Sequence, residues 1–284
     1  MCPTHRWAHA HFYRRGEPPR PAHTTHRHRQ VAESFGSDAE RYDRARPRYP
    51  QALVDRIVAA GPGPDVLDVG CGTGIVARQF AEAGSRVLGV EVDARMADLA
   101  RRRGIDVEVA SFEDWDPADR RFDAVVSGQT WHWVDPLAGP AKAAQALRPR
   151  GLLALFWNAA QPSPELTEAF TDVYRRVIPD SIAVRQWAVP AAEGYTALCA
   201  QTADRMREVG AFTDPEQWRF DWEQPYTRDE WLDQLPTQGA FTRLPQAELD
   251  EVLAGVGTAI DAAGGSFTMH YATVAVAATR TDSA

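Results

Sequence analysis

The segment Asp65–Gly74 constrains the fold of this chain more than any other. It reads Asp-Val-Leu-Asp-Val-Gly-Cys-Gly-Thr-Gly, so a short apolar run leads directly into three glycines at alternate positions. Glycine lets the backbone turn sharply and approach a ligand, because no Cβ stands in the way. The helical pattern that begins at Ile75 would offer free N–H groups in its first turn. The segment therefore predicts a buried strand, a ligand-binding turn and a helix.

Strand and helix patterns alternate on both sides of this turn. Helices are predicted at 31–44, 51–60, 75–83, 94–103 and 135–147, and strands at 65–69, 87–92, 107–110, 122–127 and 152–157. This alternation is typical of a parallel sheet covered on both faces. Two later strand patterns, 218–226 and 267–277, suit an antiparallel pair at the sheet edge. The predicted fold class is α/β, a Rossmann-like, seven-stranded, mostly parallel sheet with helices on both faces and a helical lid.

The patterns divide the chain into four parts. Residues 1–30 are predicted to be a disordered tail, because they are rich in Pro, His and Arg and lack apolar periodicity. Residues 31–158 are predicted to form the ligand-binding core with an N-terminal cap helix. Residues 159–216 are mainly helical in pattern and are predicted to insert as a lid over the strand ends. Residues 217–284 would supply the remaining helices and the edge strands.

Charge is distributed unevenly along the chain. The net charge is −8, but residues 1–30 hold six arginines and one acidic residue, so the rest of the chain carries −13. An acidic body disfavours sustained contact with a phosphate backbone, and nucleic acid is therefore not an expected partner. For the basic tail, a nucleic-acid arm and a histidine-rich metal-binding tract stay open beside the disordered interpretation.

Cysteine content and hydropathy indicate the cellular compartment of the protein. Cys2, Cys71 and Cys199 share no metal or redox spacing, so no metal site is expected and a reducing cytoplasm suits the chain. No apolar run approaches the roughly 18–20 residues that cross a bilayer, and the N-terminus lacks the apolar region of a signal peptide. A cytoplasmic protein without a membrane partner is predicted, and its oligomeric state stays open.

The glycine spacing narrows the class of ligand. G-x-G-x-G differs from the G-x-G-x-x-G of dinucleotide enzymes. Asp68 lies beside the turn, where a carboxylate would repel a pyrophosphate but attract an ammonium group. Glu91 ends the second predicted strand, 21 residues after Gly70, where an acid can accept both hydroxyls of a ribose. A nucleoside ligand with an amino-acid end is favoured. A turn that only aids packing, and a solvated or capping Glu91, are the alternatives.

Aromatic side chains follow the third and fourth predicted strands. Phe112 and Glu113 would flank an adenine ring, with core burial as the alternative for Phe112. Trp131-His132-Trp133 would line the boundary between cofactor and substrate, where aromatic faces attract cations by about 0.5–2 kcal/mol. His132 is a candidate general base for an acidic O–H or N–H group, and a structural histidine is the alternative.

These segments resemble the class I S-adenosylmethionine-dependent methyltransferases. Within them the chain resembles the small-molecule group that includes trans-aconitate methyltransferase-like proteins. The resemblance covers residues 33–158 well and 215–278 loosely. The segments that carry it are Phe35–Pro50, Val66–Gly74, Gly89-Val90-Glu91, Phe112-Glu113-Asp114-Trp115, Trp131-His132-Trp133 and Ala146–Gly151.

The resemblance implies S-adenosyl-L-methionine as the cofactor and assigns a place to each site residue. Those on the cofactor would be Tyr42, Arg46, Gly70, Gly72, Gly74, Glu91, Phe112, Glu113 and, through its backbone, Gln129. Those on the acceptor would be Tyr49, Trp131 and Trp133, with His132 as the catalytic candidate. Ser111 departs from the acid that such enzymes often carry after the third strand, so adenine recognition would shift to Glu113.

The predicted function is methyl transfer from S-adenosylmethionine to an oxygen, nitrogen or carbon atom of a small molecule, such as a carboxylate or a natural-product intermediate. A nicotinamide-dependent oxidoreductase is the first alternative. The glycine spacing and the presence of a single lysine, Lys142, disfavour it. The second alternative is a fold that binds the cofactor for structure or for chemistry other than methyl transfer.

Overall fold

A seven-stranded sheet organises residues 33–185 and 191–282, which the structure, a computed structural model, describes. The strands are β1 (Asp65–Val69), β2 (Arg86–Glu91), β3 (Asp106–Val109), β4 (Phe122–Gly128), β5 (Leu147–Gln161), β6 (Glu216–Thr227) and β7 (Ser266–Thr279). Their order is β3-β2-β1-β4-β5-β7-β6. Strands β1 to β5 are parallel, and β7 runs antiparallel to both of its neighbours. The predicted fold class is confirmed. The predicted tail, 1–30, lies outside the described residues.

Nine α-helices are present in the described part of the chain. They are α1 (Ala39–Ala45), α2 (Gln51–Ala60), α3 (Ile75–Glu82), α4 (Ala94–Arg102), α5 (Ala138–Ala146), α6 (Pro164–Val177), α7 (Ala191–Val209), α8 (Arg228–Gln234) and α9 (Gln246–Ala262). Side-chain N-caps determine where several of these helices begin. The predicted helix 31–44 becomes α-helical only at Ala39, because Asp38 accepts the Arg41 N–H as its N-cap. In the described ranges, no helix combines the length and apolar character of a membrane span.

The sheet is covered on both faces. Successive residues of a strand point to opposite sides. In β5, Leu153 and Leu155 pack in the cluster that includes α5 and α7, whereas Leu152 and Phe156 pack in the cluster with α2 and α3. Burial on both faces explains why the central strands are almost continuously apolar in sequence.

The helices of the predicted lid, 159–216, divide between two locations. Strand β5 continues to Gln161, beyond its predicted end at Trp157. Helix α7 lies on the sheet itself, where Cys199 and Met206 belong to the core cluster of Leu155. Only α6 and the 3₁₀ helix Ile182–Arg185 join a separate hydrophobic cluster.

This separate cluster defines a second lobe. The second lobe consists of α6, the 3₁₀ helix Ile182–Arg185, α8, the 3₁₀ helix Leu235–Thr237, α9 and the adjoining ends of β6 and β7. Phe170 of α6 stacks on Trp231 of α8 with ring centroids 6.3 Å apart, and Tyr226 meets the same indole at 5.3 Å. The second lobe therefore has a hydrophobic core separate from the clusters that cover the two faces of the sheet.

Candidate active site

The glycine turn lies where the strand order reverses, between β1 and β4, at the carboxyl edge of the sheet. Ligands of open α/β sheets bind at this point. Gly70, Gly72 and Gly74 have φ angles of +67°, +56° and +84°, a region that disfavours side chains. The N–H groups of Gly70 and Cys71 both donate to the Val90 carbonyl, at 2.8 and 3.2 Å, and tie the turn to β2.

Glu91 is held rigidly beside this turn. Its side chain is buried, and its two oxygens accept one backbone N–H each. Gly72 donates to Oε2 at 2.8 Å and Asp93 donates to Oε1 at 2.9 Å. Burial raises the pKa of Glu91, and these two hydrogen bonds oppose the rise. Each carboxylate oxygen keeps a further lone pair, so Glu91 can accept two neighbouring hydroxyls, as the sequence predicts for a ribose.

Asp68 is the second buried carboxyl group at the turn. Its residue is 1% exposed, and among the described residues no donor makes a well-formed hydrogen bond with either oxygen. The Ala77 N–H, in the first turn of α3, approaches closely enough to stabilise the charge in part. Burial, followed by the neighbouring Glu91, nevertheless raises the pKa of Asp68 to about 8. A buried carboxyl group in this state fits a cationic ligand group.

The segment that precedes the sheet closes over the turn. We call residues 33–50 the cap segment. Asp43 pairs with Arg78 at 2.6 Å, and Arg78 also donates to the Thr73 carbonyl at 2.8 Å. On its other side, Arg44 pairs with Asp233 of α8 at 2.8 Å. The cap segment thus connects the glycine turn with the second lobe.

Three cap-segment side chains predicted for the site have different surroundings. The Arg46 guanidinium lies 4.9 Å from the centre of the Tyr42 ring and donates to the Thr237 carbonyl of the second lobe at 3.0 Å. Tyr49 packs edge-on against Phe156, with ring centroids 4.8 Å apart. A Cβ on Gly128 would lie 2.9 Å from the Tyr49 hydroxyl. Tyr49 therefore reaches the end of β4, whereas Arg46 faces the second lobe.

Gln129 follows β4 in a strained conformation. Its φ angle is +55°, which is uncommon outside glycine and asparagine and marks a backbone held by its surroundings. Its N–H donates to the Phe156 carbonyl at 2.9 Å and its side-chain amide donates to the Asn158 carbonyl at 3.3 Å. Its side-chain Oε1 is buried with no hydrogen-bond partner among the described residues. These contacts place Gln129 at the strand ends next to the glycine turn.

Phe112 and Glu113 both make contacts within the protein. Phe112 is 4% exposed and contacts the rings of Trp115 and Trp131, with centroids 6.3 and 6.0 Å away. A carboxylate oxygen of Glu113 accepts the Asp135 N–H at 2.8 Å. Core burial, the alternative interpretation, therefore accounts for Phe112, and Glu113 orders the loop before α5.

The three residues of the Trp-His-Trp segment form a short 3₁₀ helix with distinct roles. Trp131 is 5% exposed and packs in the core, where a Cβ on Gly139 would lie 3.1 Å from its ring. This packing accounts for Trp131 without the predicted contact to an acceptor. Trp133 is partly exposed and its ring tilts against His132, with centroids 4.8 Å apart.

The surroundings of His132 oppose the predicted role as a general base. Its Nδ1 accepts the indole N–H of Trp157 at 3.4 Å. An indole nitrogen can only donate, so the Nδ1 lone pair is occupied and the ring proton is on Nε2. Burial lowers the pKa of His132 to about 4. The imidazole is therefore neutral at pH 7, and its free nitrogen presents a donor where a base needs a lone pair.

The sequence patterns did not single out Tyr226 and Tyr271, which lie in the second lobe. Tyr226 and Tyr271 share a hydroxyl–hydroxyl hydrogen bond of 2.9 Å. Trp222 stacks on Tyr271 at 4.3 Å and donates to Thr273 Oγ1 at 2.8 Å. Thr273 in turn donates to Asn158 Oδ1, at the end of β5, at 2.6 Å. Their one sequence signal is the spacing of four between Trp222 and Tyr226, which puts both on one face of β6.

Comparisons with known proteins agree with this geometry. A family model described as a methyltransferase domain matches residues 66–151. An uncharacterized methyltransferase of Mycobacterium tuberculosis is 38% identical over 133 residues, which cover 46% of this chain and 54% of that protein. Residues 66–151 therefore form a methyltransferase domain. A malonyl-[acyl-carrier protein] O-methyltransferase of Enterobacter lignolyticus is 34% identical over 146 residues, or 49% of this chain and 58% of the relative. The chain thus spans little more than half the length of these relatives.

A solved structure shares the fold of this chain. It comes from Anaeromyxobacter dehalogenans and is described as a type II methyltransferase. The TM-score is 0.56 at 23% sequence identity, and the match covers 82% of this chain and 97% of that chain. At this level of identity the likeness concerns the fold.

S-adenosylmethionine is the cofactor that the sequence predicts, and the residues at the glycine turn fit its chemistry. Asp68 would offer a buried carboxyl group, ionised on binding, to a cationic group, and Glu91 would offer two acceptors to a ribose diol. A Cβ on Gly72 would meet only the end of Met96, at 3.3 Å, so the backbone there is open to a ligand.

Removing the Glu91 carboxylate should weaken cofactor binding. We expect Glu91→Ala to raise the Kd for S-adenosylhomocysteine by the equivalent of about 1–3 kcal/mol, the range for hydrogen bonds to a charged group. Titration calorimetry measures the change. Glu82→Ala is the matched control, because that side chain is exposed on α3. Equal affinities in Glu91→Ala and the unaltered protein would refute the ribose assignment.

Proposed function

We propose that this protein transfers the methyl group of S-adenosylmethionine to a small-molecule acceptor bound between the sheet and the second lobe. The observation that carries the proposal is the pair of buried carboxyl groups, Asp68 and Glu91, beside a turn of three positive-φ glycines at the point where the strand order reverses. The acidic body of the protein favours a small molecule over nucleic acid. Buried free thiols at Cys71 and Cys199 support a reducing, cytoplasmic setting.

The residues of the chain contribute binding, orientation and exclusion of water. When bound, S-adenosylmethionine supplies an electrophilic methyl group. Glu91 would orient the ribose, and Asp68 would hold the cationic end of the methionine part. The cap segment, with Tyr42 and Tyr49, would exclude water from the methyl group. Holding two reactants in line can lower the activation barrier by about 7–11 kcal/mol. An acceptor that is already ionised therefore needs no protein base.

His132 is assigned a positioning role in this proposal, through its contact with Trp157. We expect His132→Gln, which keeps a hydrogen-bond acceptor near the indole, to retain kcat within about tenfold, because a general base contributes about 10²–10⁴-fold. Initial rates between pH 6 and 9 measure this. With a pKa of about 4, His132 adds no titration in that range. A loss of more than a hundredfold, together with disappearance of a pH-dependent limb, would restore His132 as the base.

Binding measurements decide between the proposed function and its alternatives. Calorimetry with S-adenosylmethionine, S-adenosylhomocysteine and NADH should give binding of the two sulfur compounds and none of NADH. The reverse pattern would support a nicotinamide-dependent oxidoreductase. Incubation with S-adenosylmethionine and a pool of metabolites should then release S-adenosylhomocysteine, whereas binding without release across the pool would indicate a cofactor-binding fold without transfer.

A further inference from the structure

Strand β6 lies at one edge of the sheet and leaves one side of its backbone open. It pairs with β7, and no other strand in the described ranges lies beside it. Directly after β6, the Arg228 N–H donates to the Gly265 carbonyl at 3.0 Å. Because the backbone groups of successive strand residues face opposite sides, the even-numbered residues of β6 bond to β7 and the odd-numbered residues face outward. Pro225, which has no N–H to donate, is odd-numbered, as a proline in an edge strand requires.

The outward-facing residues of β6 carry charges of both signs. Those before Pro225 are Gln217, Arg219, Asp221 and Glu223, and all four are exposed. Arg219 pairs with Asp221 along the strand at 2.9 Å, although their side chains are 57% and 66% exposed. A row of unpaired backbone groups is a template for another strand, and charged side chains on such an edge exclude strands that do not match them. The order of the charges therefore decides which strand fits.

Two copies of β6 fit each other in one antiparallel register. Copies of a strand that pair about a two-fold axis run antiparallel. The four outward-facing residues that precede Pro225 are centred on Phe220, so an axis at Phe220 pairs all four of them. Arg219 then lies opposite the Asp221 of the second copy. An axis moved by one residue would place Arg219 opposite Arg219 or Asp221 opposite Asp221, and like charges directly opposite destabilise a strand pair.

The aromatic residues of β6 agree with the same register. Trp218, Phe220 and Trp222 alternate with the charged residues along the strand, and the last two are only half-buried in one copy. About an axis at Phe220, the two Phe220 side chains meet and Trp218 lies opposite Trp222. These positions are non-hydrogen-bonded pairs, in which opposite side chains are closest. Cross-strand aromatic pairs stabilise a sheet, so both faces of the strand favour this pairing.

We propose that this protein forms a symmetric dimer in which the β6 strands of two copies pair antiparallel about Phe220. The occupant of the open edge is thus a second copy of this chain, and the two sheets become continuous. The strand contact involves residues 217–223 of each copy, whereas a typical stable interface has about 20–30 residues a side. The dimer is therefore reversible, and salt weakens it by screening the exposed charges. It is independent of the proposed function, because β4, β5 and β7 separate β6 from the strand that carries the glycine turn.

Sedimentation equilibrium tests the dimer and its charge pairs. We expect a monomer–dimer equilibrium for the unaltered protein. Arg219→Asp would place acid opposite acid and should raise the dissociation constant of the dimer at least tenfold. The exchange Arg219→Asp with Asp221→Arg restores opposite charges across the axis and should return the constant to within threefold of the original. Arg175→Asp is the matched control, because Arg175 is an exposed arginine that pairs with Asp172 of its own element, α6, and should change nothing.

Cysteine cross-linking tests the register. The variants carry Cys2→Ser, since the other two cysteines are buried. Phe220→Cys should form a disulfide-linked dimer on oxidation, because its two copies would face each other with Cα atoms about 4.5 Å apart. Gln224→Cys is the matched control on the same face of β6 and is half-buried too. Its two copies would lie about 27 Å apart, at about 3.4 Å for each residue, and should not cross-link.

The remaining outcomes overturn the proposal. Sedimentation as a monomer at every concentration, or a dimer that Arg219→Asp leaves unchanged, would exclude this interface. A double exchange as weak as the single variant, or equal cross-linking of Phe220→Cys and Gln224→Cys, would exclude this register. A monomer with the outward N–H groups of β6 protected from hydrogen exchange would show that another segment covers the edge. Should Phe220→Cys fail to fold by circular dichroism, the sedimentation series decides alone.

Discussion

Without ligand, the Asp68→Asn variant should be more stable than the unaltered protein, by an amount that increases as the pH rises. Burial keeps Asp68 protonated up to a pKa of about 8 in the folded state, whereas its ordinary value is 3.8. Between these two pH values unfolding releases a proton. The free energy of unfolding of the unaltered protein therefore falls by about 1.4 kcal/mol for each pH unit. Asparagine has the same shape and does not titrate. The stability difference should therefore be smallest near pH 4 and should widen toward pH 8.

The same substitution should weaken binding of S-adenosylhomocysteine. A bound ammonium group stabilises the ionised carboxyl group and lowers its pKa, so binding at pH 7 should release about one proton from the unaltered protein. In Asp68→Asn this release should be absent, and the Kd at pH 8 should rise at least tenfold, or about 1.4 kcal/mol.

Two measurements test these opposite effects of Asp68→Asn. Chemical denaturation between pH 5 and pH 8 follows the stability, and calorimetry in buffers of different ionisation enthalpy counts the protons released on binding. Asp106→Asn, at an exposed position on β3, is the control. Parallel stability profiles for the Asp68 variant and the unaltered protein would show that this carboxyl group is ionised in the folded state and would contradict the prediction.

Gly70→Ala should disrupt both folding stability and cofactor binding. At φ +67° an L-residue costs about 1–2 kcal/mol. The new Cβ would also lie 2.0 Å from the Thr130 Cγ2. Thr130 cannot move freely, because its hydroxyl bonds the Gly70 and Gly128 carbonyls, at 3.1 Å each. Overpacking of this kind costs a further 1–3 kcal/mol or so, giving a total loss of about 2–5 kcal/mol.

Gly84→Ala separates the two causes. Gly84 has φ +91°, but a Cβ there would meet nothing within 4 Å. The stability lost in Gly84→Ala should therefore be limited to the backbone cost of about 1–2 kcal/mol, and the affinity for S-adenosylhomocysteine should be unchanged. Urea denaturation and calorimetry on both variants check the pair. Equal destabilisation by the two substitutions would mean that Thr130 yields to the new methyl group.

The sequence predicted the fold where local patterns decide structure. Strand β1 occupies its predicted residues, because its apolar run is bounded by Pro64 and the glycine turn. The end of β5 was missed, since its last residues are asparagine, alanine and glutamine, which are uncommon in strands, and they are extended only by pairing with β7. Helix α7 was assigned to a lid, because a helical pattern does not state which partner its apolar face will meet.

The candidate site was predictable to a similar, partial extent. The glycine turn and Glu91 depend on sequence spacing within one βαβ unit, and the structure brings them together. The proton of His132 is on Nε2 because the Trp157 indole donates to Nδ1, and Trp157 reaches His132 only through the packing of β5 beside β4. Tyr226 and Tyr271 meet through the pairing of β6 with β7, across two intervening helices. No local pattern encodes such contacts.

The separate hydrophobic core of the second lobe has a consequence for how such a protein can diversify. Substitutions in distant, independently packed regions have nearly additive effects on stability. Substitutions around Phe170 and Trp231 can therefore alter the second lobe, beside which we propose that the acceptor binds, while the glycine turn stays intact. Selection on the acceptor and selection on the cofactor then act on different parts of one chain. The exception is the cap segment, whose ion pairs to Arg78 and Asp233 bind both parts at once and so restrict how far either can change alone.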